Sequence, residues 1–240
     1  MNLSQTALRA IEAYGGADLW TSHKFVEAKV SAKGLAFTIK QRPFFEHAKI
    51  KMEIERPFSR ITPIGKDKSI TGILDGNDVR LENVNGDTIS ERKNAKEGFP
   101  YGRRLFYWDD LDMAYFANYA FWNYFTFPYL LMNDRIKWTE KEEGVLSAIF
   151  PDNIPTHSMK EQEYYFDKQT GQLYQYNYAA EVISGLAKAA NVVTAHKQFE
   201  QGIFPSSRKV TPQNGKGKAL KRPTLIDITI HDFKLTNNEW

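Results

Sequence analysis

The sequence predicts a domain of the α+β class, mainly antiparallel β, in which a curved sheet covers an aromatic-rich apolar interior. Apolar and polar side chains alternate along much of the 240-residue chain, which is typical of strands with one buried and one solvated face. Turn sequences separate these strands at short intervals. One helical segment is crowded with rings from the 16 Phe, 12 Tyr and 5 Trp of the chain, and such rings dominate the core or cavity that they enter.

The chain opens with a helix. Ser4 can cap a helix that runs to about residue 14, because apolar residues recur on one face and Gly15 and Gly16 follow as a stop signal. We expect residues 17–20 to form a short turn that joins this helix to the sheet through Trp20.

The first strands follow at once. Alternation is clear over residues 25–33, and we expect residues 35–39 to continue the strand after a bend at Gly34. The alternation over residues 48–55 is cleaner still, with one apolar and one charged face. A half-buried face of this kind favours an antiparallel sheet over a doubly wound parallel one.

Hairpins complete the first half of the sheet. Asp75-Gly76-Asn77-Asp78 and Asn85-Gly86 are typical turn sequences. They separate three predicted strands, at residues 70–74, 79–84 and 87–92.

A second set of strands begins near residue 136, after a helix. The predicted strands lie near Trp138 and at residues 145–150, 159–166, 173–178, 191–199 and 225–235. Both halves together give about ten strands, two or three helices and no linker, which predicts one domain over residues 1–240.

The helix between the two halves is the most informative segment. Asp109 or Asp110 can cap it, and it runs from about residue 111 to 124, or to 127 before Pro128. Its rings fall on two faces, so it must be covered on more than one side, which the mouth of a curved sheet achieves. The rings then either pack as a solid core or line a cavity for a lipophilic ligand. The cavity-lining candidates are Trp108, Tyr115, Phe116, Tyr119, Phe121, Trp122, Tyr124 and Phe125.

The composition limits the classes of function. The chain has 32 basic and 29 acidic residues, a balance that does not favour nucleic-acid binding. It has no cysteine, which excludes disulfides and thiolate chemistry, and no stretch approaches the roughly 18 apolar residues of a membrane span. The first residues do not resemble a signal peptide. We expect a cytoplasmic protein if Met1 is the native start, and a periplasmic one if a leader has been removed.

Motifs for catalysis are few. The chain contains no nucleophile elbow and no phosphate-binding loop, and no histidine has the spacing of a metal site, so we expect no metal and no cofactor. His196 and His231 lie on predicted strands near Glu200 and Asp232, and a hydrolase-type enzyme that uses either histidine is one alternative.

A third alternative is a structural or partner-binding module with a packed core and no ligand. Residues 208–222 are locally basic and rich in Gly, Pro and Asn, which predicts a solvated loop. That loop, or an exposed sheet edge, could contact another protein.

Three segments resemble uncharacterised bacterial members of the lipoprotein-carrier superfamily (LolA/LolB-like). They are residues 10–20 (AIEAYGGADLW), the hairpin at 165–173 (YFDKQTGQL) and residues 204–210 (FPSSRKV). The resemblance implies an unclosed (half) β-barrel of about eleven antiparallel strands, with helices plugging the concave side over an apolar cavity. Known carriers shelter lipoprotein acyl chains in such a cavity. The implied function is therefore binding of an acyl chain or another lipid-like partner, with no residue role transferred.

Overall fold

The computed structural model describes residues 3–239, which contain an antiparallel sheet of 13 strands. Met1, Asn2 and Trp240 lie outside these residues. The location of the protein in the cell, which the sequence analysis ties to Met1, stays a prediction. The helices are α1 (Gln5–Ala13), α2 (Gly16–Thr21), α3 (Leu35–Ile39), α4 (Asp110–Phe125) and α5 (Phe127–Leu130), with 3-10 turns at Ala95–Gly98 and Gly102–Leu105.

The strands are short in the first half of the chain and long near its end. In chain order they are β1 (Phe25–Lys33), β2 (Phe45–Glu53), β3 (Phe58–Thr62), β4 (Thr71–Asp75), β5 (Asp78–Glu82), β6 (Thr88–Arg92), β7 (Lys137–Glu142), β8 (Val145–Ile149), β9 (Gln162–Phe166), β10 (Leu173–Ala179), β11 (Lys188–Phe199), β12 (Gly202–Pro212) and β13 (Ile226–Thr236).

The sheet is an unclosed half-barrel. Its order is β6-β5-β4-β3-β2-β1-β13-β12-β11-β10-β9-β8-β7, so every pair joins chain neighbours except the central pair of β1 and β13. The edge strands are β6 and β7, and the connection between them contains α4. The predicted α+β half-barrel is confirmed. It has 13 strands rather than about eleven, and β3 and β12 are the strands that the sequence patterns did not predict.

The concave side of the sheet holds α4. Its N-cap is Asp109, whose carboxylate accepts from the Asp112 amide while the Asp112 carboxylate accepts from the Asp109 amide. Rings from α4 reach strands on both halves of the sheet, such as Phe121 against Phe45 and Phe125 against Phe233. The helix is therefore covered on almost every side, as its ring pattern predicts.

Two short segments near the N-terminus differ from the prediction. Residues 17–20 belong to helix α2 rather than to a turn, and the indole of Trp20 donates to the carbonyl oxygen of Tyr14 at 2.9 Å. Residues 35–39 form α3 instead of continuing β1, because Gly34 has a φ of +138°, which side chains rarely allow. This turn directs Phe37 into the interior.

The largest correction concerns the predicted loop over residues 208–222. Its first five residues belong to β12, and Arg208 is 1 % exposed. Phe204, Arg208 and Val210 all point to the buried side, which is the period of a strand. Only the remainder of the segment lies outside the strands, so the basic loop is shorter than the sequence indicated.

None of the helices in residues 3–239 combines the length and the apolar character that crossing a membrane requires.

Candidate functional site

Three small cavities follow one another between α4 and the concave face of the sheet. The first has a volume of about 60 Å³, the second about 20 Å³ and the third about 10 Å³. Phe37, Met113 and Phe116 separate the first from the second, and Tyr124 separates the second from the third. One water requires roughly 10–15 Å³ on the same scale, so only the first has room for several atoms.

The first cavity is partly open to solvent and has mostly apolar walls. Helices α3 and α4 and the segment before α4 contribute Ala36, Phe37, Trp108, Met113 and Phe116. The opposite wall consists of Tyr178, Ala180, Ile183, Ala189, Val210, Leu225 and Ile226. An apolar hollow with few polar groups is the usual form of a site for a lipophilic molecule.

Two cations lie in the wall of the first cavity, and both have partners. The ammonium of Lys40 donates to the carbonyl oxygens of Arg104 and Leu105, each at 2.8 Å. Arg42 donates to the carbonyl oxygen of Trp108 at 3.0 Å and forms an ion pair with Asp110. These bonds hold the segment before α4 against α3.

A buried group of tyrosines surrounds His157 at the inner wall of the first cavity. The Tyr124 hydroxyl lies 2.9 Å from Nε2 of His157 and 3.1 Å from the Tyr178 hydroxyl, and the rings of His157 and Tyr178 stack at 3.9 Å. Burial lowers the pKa of His157 to about 3, and it raises the pKa of Tyr124 and of Tyr178. All three groups are therefore neutral near pH 7, so they offer a ligand hydrogen bonds rather than a charge.

Arg208 lies behind Tyr124 in the wall of the third cavity. Its guanidinium stands over the Tyr124 ring at 5.1 Å, and its only hydrogen bond within residues 3–239 runs from Nη2 to the Tyr124 carbonyl oxygen at 3.5 Å. Its Nε and Nη1 have no hydrogen-bond partner in that part of the chain, and no described carboxylate forms an ion pair with it. Burial lowers the pKa of Arg208, although an arginine stays protonated in proteins.

The predicted cavity-lining residues divide into two groups. Trp108 and Phe116 line the first cavity, Phe116, Phe121 and Tyr124 line the second, and Tyr124 and Phe125 line the third. The other three lie elsewhere. A role in ligand binding stays a prediction for all eight.

The three predicted residues outside the cavities have other surroundings. Tyr115 lines a surface groove beside Phe99 and Tyr101. Tyr119 is buried with its ring 5.1 Å from that of His157. The Trp122 indole donates to the Glu53 carbonyl oxygen at 2.8 Å, so this ring joins α4 to the end of β2.

Several lining residues were missed by sequence reasoning. Phe37 was assigned to a strand, and Arg208 was assigned to a loop. Phe204, Arg208 and Val210 follow the period of a strand, whereas the basic residues and glycines after Arg208 indicate a loop. No signal in the sequence distinguishes His157 from the four other histidines.

The two histidines of the hydrolase-type alternative do not pair with a carboxylate among the described residues. His196 lies 3.0 Å from the Tyr14 hydroxyl, and burial lowers its pKa to about 4. His231 lies 2.9 Å from the Ser31 hydroxyl, and its ring is tilted against that of His47 with the ring centres 4.3 Å apart. Neither arrangement brings together the base and the orienting carboxylate that the alternative requires.

The fold is similar to that of solved structures. A LolA superfamily protein from Nitrosomonas europaea has a TM-score of 0.53 and 9% identity, covering 100% of this chain and 96% of that chain. A putative outer membrane lipoprotein-sorting protein domain from Vibrio parahaemolyticus has a TM-score of 0.49 and 11% identity, covering 96% and 91%. No family model matches the chain, and no curated protein matches its sequence. The half-barrel with helices on its concave side is therefore a LolA-like fold.

Proposed function

We propose that the protein binds a lipophilic ligand, an acyl chain or a similar lipid-like molecule, between the curved sheet and α4. The observation that carries the proposal is the row of three cavities, whose walls are mostly aromatic and aliphatic side chains. Transfer of apolar surface from water to such walls contributes roughly 25 cal/mol for each Å² buried, so an alkyl chain gains affinity along its length. The LolA-like fold and the resemblance to lipoprotein carriers support the same ligand class.

A long chain needs more space than the separate cavities provide. The side chains that separate them must therefore move when the ligand enters. Met113 lies between the first and second cavities, and an unbranched thioether side chain adapts easily to a new neighbour. Movement of Met113 and Phe116 joins the two hollows without a change in the backbone of the sheet.

The first cavity is where the ligand enters. It is partly open to solvent, and α3 and residues 180–183 flank it. Helix α3 has five residues and buries only Phe37, and the bonds of Lys40 and Arg42 join it to the segment before α4.

A cavity-filling substitution tests the proposal. Ala189 lies on β11 in the wall of the first cavity, and Ala189→Leu places a larger side chain there. We expect the affinity of the variant for a fatty acid, measured by displacement of a fluorescent fatty acid, to fall by roughly tenfold or more, because the alkyl chain loses its space. Native mass spectrometry of the purified wild-type protein should show a bound lipid mass after incubation with palmitate.

The matched control is Ala195→Leu, the same substitution at an exposed position of the same strand. It should bind as the wild type does. Equal binding by both variants would place the ligand elsewhere. Absence of any lipid binding by the wild type would instead support the alternative of a packed structural module.

A further inference from the structure

We propose that Arg208 binds the carboxylate of a fatty acid whose chain occupies the cavities under α4. This inference rests on the proposed function and adds the head group of the ligand and its direction. The carboxylate lies at the third cavity, and the alkyl chain extends past Tyr124 towards the first cavity.

The first step of the argument is that Arg208 is a buried cation without a counter-charge. Its side chain is fully buried, and no described Asp or Glu forms an ion pair with it. The tyrosines around it are neutral, because burial raises the pKa of Tyr14 to about 12 and also raises that of Tyr124. A buried charge is costly unless an opposite charge and hydrogen-bond acceptors accompany it.

The second step concerns the hydrogen bonds of the guanidinium. Nε and Nη1 have no partner within residues 3–239, and Nη2 makes one contact of 3.5 Å with the Tyr124 carbonyl oxygen. The negative end of the α4 dipole offsets part of the charge there. The dipole supplies no further acceptor, so most of the five N–H donors of the guanidinium stay without one.

The third step is the match with a carboxylate. Arg208 is part of the wall of the third cavity, so a head group in that cavity lies beside its side chain. The planar guanidinium fits the two oxygens of a carboxylate. The third cavity has a volume of about 10 Å³, so its walls must move for a head group to enter, and they must move less for a planar carboxylate than for a tetrahedral phosphate.

Paired ligands of equal chain length test the inference. We expect the wild type to bind palmitate roughly tenfold or more tightly than hexadecanol, because a hydrogen bond to a charged group adds affinity beyond that of the chain. In Arg208→Met, this preference should disappear while hexadecanol binds as before. Lys209→Met, a neighbouring basic residue that is exposed on the same strand, should keep the preference.

A measurement on the wild type alone does not depend on whether the variant folds. Palmitate labelled with ¹³C at the carboxyl is bound and titrated by NMR. An arginine partner should hold the pKa of the bound carboxyl below its usual range, whereas burial without a partner raises it. Hexadecyl phosphate should bind more weakly than palmitate.

The outcomes separate the two proposals. Equal wild-type affinity for palmitate and hexadecanol, a preference that survives in Arg208→Met, or a raised carboxyl pKa would overturn the role of Arg208 and leave the cavity proposal intact. Tighter binding of hexadecyl phosphate would assign a phosphate ligand instead of a carboxylate. Failure of every ligand to bind would overturn the proposed function itself.

Discussion

Two buried charges lie at opposite ends of α4, and the protein compensates them very differently. At the N-terminal end, the carboxylate of Asp112 is 0% exposed. It forms ion pairs with Arg92 at 2.5 Å and with Arg103 and Arg104, each at 2.7 Å. At the C-terminal end, the Arg208 guanidinium has one weak contact with a backbone oxygen and stands over the Tyr124 ring, with no carboxylate partner among the described residues.

The difference shows how a structural charge can be told from a functional one. The Asp112 cluster joins β6 and the 3-10 turn at Gly102–Leu105 to the start of α4, and its geometry is complete without any ligand. Arg208 contributes nothing comparable to the folded chain. A buried charge is costly when it lacks partners, so Arg208 is the better candidate for ligand recognition.

The largest effect is expected at the compensated end. Asp112→Asn removes the shared carboxylate and leaves three arginines close together, so we expect the free energy of unfolding to fall by about 3 kcal/mol. Urea denaturation measures this loss. Asp134→Asn, an exposed aspartate after α5, should change it by less than about 0.5 kcal/mol. A similar small change in Asp112→Asn would show that the cluster is not structural.

The effect at the other end should have the opposite sign. Arg208→Met removes an uncompensated buried charge and keeps most of the side-chain volume, so we expect the ligand-free protein to gain about 1 kcal/mol or more in urea denaturation. Lys209→Met should leave the stability almost unchanged. A loss of stability in Arg208→Met would mean that the guanidinium has partners in the folded protein.

The third effect is absent near pH 7 and appears only in acid, where it also differs between the two ends. His157 has its pKa lowered to about 3 in the folded protein, so the unfolded chain binds the proton first as the pH falls below about 6.5. The contribution of neutral His157 to the free energy of unfolding should therefore be fully present above that pH. It should decline towards pH 3, by up to about 1.4 kcal/mol for each pH unit. Urea denaturation of His157→Gln between pH 6 and pH 4 should show a smaller decline.

The N-terminal end should respond at lower pH. Desolvation alone would raise the pKa of Asp109, but the bonds from Arg92, the Asp112 amide and Arg103 outweigh it and lower the pKa to about 2. Its contribution to stability is present above about pH 4 and is lost as the pH falls towards 2. In Asp109→Asn, the free energy of unfolding should still decline between pH 6 and pH 4 as it does in the wild type. An unchanged decline in His157→Gln would exclude that histidine as its source.

Local sequence patterns were sufficient for most of the fold. The alternation in β1 and β2, the glycine turns and the Asp109 cap are decided by neighbouring residues, so they could be read directly. The path after Gly34 depends on a backbone angle, and the burial of Arg208 depends on strands that pair across a long distance in the chain.

The candidate site was predicted only in part for a similar reason. Helix α4 is apolar on nearly every side, so its ring pattern indicates that it is covered without indicating which rings face a hollow. Trp122 and Phe121 are neighbours, yet one binds the end of β2 and the other lines the second cavity. The sheet residues that face them belong to other segments of the chain.

The central pairing of β1 with β13 also has a consequence for biosynthesis. Phe25 pairs with Thr236, so the middle of the sheet cannot close until residues up to about 236 have left the ribosome. Hairpins on either side can assemble earlier from residues close together in the chain, whereas this last step brings together the two most distant strands. During translation the nascent β1 has an unpaired side, which is where premature association with other chains would begin.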